Sequence, residues 1–364
     1  MNLDLQQMLA EATRLTRAGN LQEATVAIQA ALRAGTPASS ASPAFQPAFP
    51  PGFDAASVID IEARRIDTEP VDRSAPRPAA ARLVQGQFIA GRHSEAGLQR
   101  DYKLYIPPGH HEGRLPLVVM LHGCTQDPDD FAAGTRMNEA ALERGFYVLY
   151  PAQAKKANSS RCWNWFKHNH QRRGRGEPAL LAGMTRDVIA RHAVDASRVY
   201  VAGLSAGGAM AAILGEAYPE LYAAVGVHSG LPTGAAADLP SAFAAMQGSH
   251  PHASSAAPRP PTIVFHGDQD TTVHPVNGDR VVSAKAGEAT VGHERARSRN
   301  GRDYTRRVYR DAADRVVAEH WSVHGAGHAW SGGHASGTYT DAQGPDASAA
   351  MLDFFMAQRL TTPG

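Results

Sequence analysis

Apolar positions along this chain keep switching between two periods. Short continuous apolar runs, "LPLVVMLHG" (115–123), "FYVLYP" (146–151), "RVYVAGLS" (198–205), "AAVGVHSG" (223–230) and "TIVFHG" (262–267), read as buried strands. Between them lie segments of helical spacing at Phe131–Arg144, Ala179–His192, from Ala206, and near Val276. Two further strands and a closing helix, "ASAAMLDFFMAQRL", complete the pattern, and "RLVQGQFIAG" with "RDYKLYIPP" predicts an antiparallel opening. Continuous rather than alternating apolar strands are those covered on both faces. Alternation of such strands with helices predicts an α/β fold, a mainly parallel sheet with helices on both faces. In that architecture the chemistry belongs at the C-terminal ends of the strands.

Upstream, the pattern changes twice. Residues 1–35 place apolar side chains at helical spacing on both sides of Ala18-Gly19-Asn20, which predicts a short helical hairpin. One such unit cannot bury its own apolar face, so it is expected to dock on the catalytic domain or on a partner. Residues 36–80 are rich in Pro, Ala and Ser and read as a flexible linker. The catalytic domain is then expected at 81–364.

Charge removes some partners. Thirty-six Lys and Arg against 35 Asp and Glu leave a formal charge of +1, too little to attract a polyanion, so nucleic acid is not expected. No run reaches the roughly 18 apolar residues that span a bilayer, and no membrane association is expected. "MNLDLQQMLAEATRLTRAGN" lacks the basic start and apolar core of a secretory signal, which points to a cytoplasmic location. The two cysteines, Cys124 and Cys162, are too few for a Cys-based zinc site. Either inert thiols or one disulfide fits them.

Candidate chemistry begins at Gly203-Leu204-Ser205-Ala206-Gly207, where a strand hands over to a helix. Alone, this Gly-x-Ser-x-Gly match is also compatible with a plain turn. Small neighbours suit a nucleophile on a strained elbow, and the helix N-terminus offers unpaired N–H groups to an oxyanion. Partners follow in the order Ser, acid, His. "TIVFHGDQDTTVHP" supplies Asp270, with Asp268 as its rival, and "HWSVHGAGHAWSGG" supplies His328, with His324 as its rival. Asp270 is favoured for its reach into the loop, and His328 for its glycine-rich surroundings. Ser205 is thus the candidate nucleophile, His328 the base and Asp270 its orienting acid. "LHGCTQ" (121–126) follows a buried strand and is expected to complete an oxyanion hole from the N–H groups of Cys124 and Ala206, with His122 bracing the loop. Trp163, Trp165 and Trp330 are candidate substrate-binding residues, forming an acyl wall, although packing is the commoner fate of such rings. The basic run Lys167–Pro178 reads as a solvated loop, and His228 as a structural histidine.

Taken in one order, "LHGCTQ", "RCWNWF", "DASRVYVAGLSAGGAM", "HGDQDTTV" and "GAGHAWSGG" resemble the poly(3-hydroxybutyrate) depolymerase-type esterases. The resemblance spans roughly Leu83 to Leu360. It implies an α/β-hydrolase fold and a carboxylic ester hydrolase without metal or organic cofactor, acting on poly- or oligo(3-hydroxybutyrate)-type esters. It supports Ser205, Asp270 and His328 at their matching positions. Related members act on feruloyl or acetyl esters of plant polysaccharide, the alternative reading here. Secreted members of the family make an extracellular location the alternative to a cytoplasmic one. From another class comes a granule- or partner-binding role for residues 1–35.

Overall fold

Val118 and Val119, adjacent in sequence, are both fully buried because they face opposite layers of one sheet. The computed structural model describes residues 85–360 apart from 96, 110–112, 250–258 and 284–289. The expected hairpin (1–35) and linker (36–80) lie outside the described residues. In chain order the elements are β1 (Gln87–Glu95), β2 (Leu98–Ile106), β3 (Leu115–Leu121), α1 (Pro128–Thr135), α2 (Met137–Arg144) and β4 (Tyr147–Pro151). There follow α3 (Gly176–Arg191), β5 (Val194–Leu204), α4 (Ala206–Ala217), β6 (Ala224–His228), α5 (Leu239–Met246) and β7 (Thr262–Gly267). The rest comprises α6 (Val276–Ser283), β8 (Thr290–Arg297), β9 (Asp303–Arg310), β10 (Val316–Val323), β11 (Trp330–Ser331), β12 (Thr340–Asp341) and α7 (Ala347–Met356).

Ten strands form one sheet in the order β1-β2-β4-β3-β5-β6-β7-β10-β9-β8. The strands from β4 through β3, β5, β6 and β7 to β10 are mutually parallel. Antiparallel pairs extend both edges, β2 and β1 on one side and β9 and β8 on the other. One layer packs Leu181, Val188, Met210, Leu214 and Val281 from α3, α4 and α6 against Val119, Val201 and Val264. The other packs Phe131, Met137, Met351 and Phe355 from α1, α2 and α7 against Val118, Ala202 and Phe265. Helices on both faces explain why the central strands read as unbroken apolar runs.

Two local expectations are corrected. The helix expected over Phe131–Arg144 is two helices, broken at Arg136, whose φ of 53° is left-handed and caps α1. In the ten-stranded sheet three strands, not two, follow α6. The additional one, β8, is exposed along almost its whole length, so it carries no apolar period for a sequence pattern to reveal.

Candidate active site

The ends of β5, β6, β7 and β10 are in register. Leu204 pairs with His228, His228 with Phe265, and Trp321 and Val323 with Phe265 and Gly267. The segments carrying Ser205, Asp270 and His328 leave this row. Ser205 follows β5 with φ 58° and ψ −119°, a conformation costing a non-glycine residue about 1–3 kcal/mol. The turn is held from both sides: Ser205 N–H donates to His228 O at 2.9 Å, and Ser205 O accepts from Ala209 N–H at 2.9 Å. Glycine is required beside it. A Cβ on Gly203 would strike the Gly207 carbonyl group, and one on Gly207 would strike Leu121 O. Ala206, first residue of α4, has no intrahelical acceptor for its N–H.

Asp270 and His328 are in direct contact. His328 Nδ1 donates to Asp270 Oδ2 at 2.7 Å, and the carboxylate side chain is fully buried. Its other oxygen accepts from the N–H groups of Thr272 and Val273, each at 2.9 Å. Burial alone would push the Asp270 carboxyl up. The nearby His266 imidazole, the hydrogen bonds from His328 and the Val273 N–H, and the charge of His328 outweigh it and hold the group well below the carboxylate range. Among the described residues, neither His328 Nε2 nor Ser205 Oγ has a hydrogen-bond partner, so both atoms are available to a reacting group.

The two rivals pair with each other. His324 Nδ1 contacts Asp268 Oδ2 at 2.9 Å, and its Nε2 meets Thr305 Oγ1 of β9 at 2.9 Å. That ring therefore faces β9, the side of β10 remote from Ser205. His328 shares its surroundings with His228, the residue that holds Ser205: both His328 and Asp270 act electrostatically on His228. His228 Nε2 also accepts from Ser331 N–H at 2.9 Å, fastening the loop that carries His328 to the strand beside Ser205. Burial holds His228 well below the ordinary imidazole range, so it stays neutral and structural.

On the other side of Ser205, the loop after β3 is tied down by several contacts. Cys124 and Cys162 form a disulfide. Thr125 N–H donates to Ser160 O at 2.7 Å, and Trp163 Nε1 to His122 O at 3.1 Å. Gly123 N–H donates to Gln126 Oε1 at 2.9 Å. His122 is buried; its Nε2 accepts from Gln153 N–H, so its hydrogen sits on Nδ1 and goes to Gly123 O. Burial pushes its pKa down to about 4. The loop leaves the Cys124 N–H without an acceptor among the described residues.

The three tryptophans expected to line a substrate wall are core residues instead. Trp163 and Trp330 are 0% and 1% exposed and Trp165 is 6% exposed. Trp330 stacks on His228, meets Phe131 edge-on and donates to Ser348 Oγ. Their rings pack into the two core clusters beneath the site loops.

Two features escaped the sequence. Glu177, inside the run read as a solvated loop, is fully buried and accepts from Gln153 Nε2, Asn164 N–H, Asn164 Nδ2 and Arg100 Nη2. It fixes the segment containing Cys162 to β2 and to the end of β4. Only its place within "RRGRGEP" could have hinted at this, as the one acid among those cations. Tyr339, 45% exposed, sets its hydroxyl 3.3 Å from Thr125 Oγ1 beside the loop after β3. No motif marks it.

Residues 100–296, more than half the chain, match the family described as Esterase PHB depolymerase. The chain belongs to this family. Within the PHB depolymerase esterases it is 31% identical over 237 residues to poly(3-hydroxyalkanoate) depolymerase C of Paucimonas lemoignei, covering 62% of this chain and 57% of that one. It is 30% identical over 195 residues to feruloyl esterase B of Thermothelomyces thermophilus, covering 48% and 66%. An acetyl xylan esterase from Aspergillus awamori superposes with a TM-score of 0.57 at 20% identity, over 71% of this chain and 94% of that one. That likeness establishes the α/β-hydrolase fold. The chain spans 57% and 56% of the two curated depolymerases it matches. Among the described residues, no cluster of side chains could hold a metal ion, and no helix is long and apolar enough to cross a membrane.

Proposed function

We propose that this member of the PHB depolymerase esterases is a serine-dependent carboxylic ester hydrolase, with Ser205 as nucleophile, His328 as base and Asp270 as the acid orienting it. The observation that carries the reading is the 2.7 Å contact between Asp270 and His328, whose Nε2 is left free. With Nδ1 committed to a buried carboxylate, the free Nε2 is the atom that accepts the Ser205 proton as Oγ attacks the ester carbonyl. The N–H groups of Cys124 and Ala206 receive the oxyanion, and the low dielectric around them strengthens both hydrogen bonds. His328 then returns the proton to the departing alkoxide. A water activated at the same nitrogen cleaves the acyl-enzyme.

The substrates we propose are poly- or oligo(3-hydroxybutyrate)-type esters, supported by the family and by the relative of 31% identity. A second reading, a feruloyl or acetyl esterase, has its own support in the feruloyl esterase relative of 30% identity. Residues 81–364 carry the catalysis in both readings; the alternative from another class is a granule- or partner-binding role for residues 1–35. Fluorophosphonate labelling with mapping of the adduct tests the nucleophile: modification anywhere but Ser205, or none, ends the proposal. Hydrolysis of 3-hydroxybutyrate oligomers, methyl ferulate and acetylated xylan side by side decides between the two acyl classes. Removal of residues 1–80 should leave turnover of a soluble ester unchanged.

A further inference from the structure

Two buried histidines outside the proposed triad face one another behind Asp270. His266 of β7 and His320 of β10 are each 2% exposed. Val264 pairs with His320 and His266 with Ser322, so the two imidazoles project from the same sheet face, toward α6. His266 Nε2 lies 2.8 Å from Val273 O and 3.4 Å from Asp270 Oδ2. Both neighbours are acceptors, so Nε2 carries the ring hydrogen and Nδ1 presents a lone pair.

His320 has a complementary assignment. Its Nδ1 is 2.6 Å from Arg307 Nη2 and 3.3 Å from Asp279 Oδ1; the nearer group, a guanidinium, only donates, so Nδ1 accepts and the hydrogen sits on Nε2. Burial lowers its affinity for a second proton. The remaining atoms, His266 Nδ1 and His320 Nε2, are buried and have no hydrogen-bond partner among the described residues. Both converge on Gly278 of α6, where a Cβ would lie 3.0 Å from the first and 2.9 Å from the second. Gly278 does not have a left-handed φ, so it is the close approach of the two rings, not the backbone, that calls for glycine here.

We propose that His266, packed with His320 against Gly278 and tied through its Nε2–H to Val273 O, is a positioning residue for the turn that holds Asp270, the carboxylate that orients His328. The proposal rests on the serine hydrolase reading for its kinetic consequence, though not for the packing itself. His266 Nε2–H donates to Val273 O, Val273 N–H in turn donates to Asp270 Oδ1, and Oδ2 contacts His328 at 2.7 Å with His266 3.4 Å away. A fixed His266 therefore closes off the rotation that would take Oδ2 away from His328. The charged and titratable groups around the pair are Asp270, His228 and His328 on the side of His266, and Arg307 and Asp279 on the side of His320.

The test uses the full chain. Nitrogen-15 histidine spectra at neutral pH should show both rings with hydrogen on Nε2 and a bare Nδ1. Hydrogen on Nδ1 of His266 overturns the arrangement, and because no substrate is involved, this result is independent of any esterase activity. Kinetically, His266→Phe should lower kcat on a soluble ester by about 10- to 100-fold with KM within about twofold, since misplacement of a catalytic group costs up to about that much. The acid limb of its kcat/KM profile should move, and His266→Gln, whose amide nitrogen can donate to Val273 O, should recover most of the rate. Gly278→Ala, which puts a methyl group at the meeting point, should lower kcat in the same way. Wild-type kcat and pH profile in His266→Phe, or a Gln variant no better than Phe, overturn the positioning role. A wild-type protein with the expected tautomers that hydrolyses no ester overturns the serine hydrolase reading and leaves the histidine packing standing.

Discussion

Asp270 Oδ2 stands 2.7 Å from His328 Nδ1, and this pair sits beside a second Asp–His pair, Asp268 with His324 at 2.9 Å. The pairs have similar spacings in sequence, 58 and 56 residues, and differ in what their free nitrogens meet. His324 Nε2 is taken by Thr305, whereas His328 Nε2 is open. Substituting each acid by its amide separates their roles. Asp270→Asn should lower kcat by about 10⁴-fold, as loss of the tautomer-setting acid does in such triads. Asp268→Asn should change it by less than about threefold. Equal losses in the two variants would refute the assignment; steady-state kinetics on a soluble ester decides.

Proton uptake by His122 links folding to pH. Its folded pKa, pushed down to about 4 by burial, lies below the value near 6.5 that an unfolded chain gives. Between those values the unfolded state binds more protons, so the contribution of His122 is fully present above about 6.5 and lost as pH falls toward 4. The full effect is at most about 3 kcal/mol. His122→Gln should flatten the dependence of urea midpoint on pH in that window. Parallel slopes for wild type and variant count against the linkage.

Asp270 adds to acid sensitivity at lower pH. Its folded pKa is depressed, so its contribution is present above the unfolded carboxylate value near 3.9 and lost as pH falls below it. Asp270→Asn should therefore lower stability at pH 7 more than at pH 2.5. Calorimetric midpoints at the two pH values measure the difference.

Opening the Cys124–Cys162 disulfide should act on both stability and rate. A closure over a separation of 38 residues restrains the unfolded chain by about 4 kcal/mol in the chain-entropy treatment. It also anchors the loop bearing the Cys124 N–H. Cys162→Ala should lower the denaturation midpoint and cut kcat by about 10-fold or more, with KM less affected. A variant that loses stability but keeps kcat would place the oxyanion donor elsewhere.

Trp330 provides a contrast between packing and binding. Its burial against His228 and Phe131 predicts that Trp330→Ala costs about 3–5 kcal/mol of stability. Trp330→Phe, which keeps most of the ring, should retain the KM of the wild type for each ester tested. A selective KM change for one acyl group would instead restore it to the substrate wall.

The sheet and its helices were legible because covering a strand on both faces leaves an apolar run, and Val118 to Leu121 or Ile263 to Phe265 display it openly. Gly203 and Gly207 were legible too, since a strained elbow tolerates no side chain there. Strand β8 was not, because exposed residues carry no period, and the break at Arg136 was not, because a single left-handed residue leaves no composition signal. Sequence order named Ser205 and two candidate acids and bases, and could carry the choice no further than local context. That choice depended on which way each ring turns across β10, a matter of strand register and of what lies on β9 and β6. The same limit hid Glu177, Tyr339 and the His266–His320 pair. Hydrophobic patterning records how each residue relates to solvent and core, which is a local property. The pairing of polar atoms joins residues distant along the chain, and only the assembled sheet brings those atoms within hydrogen-bonding distance.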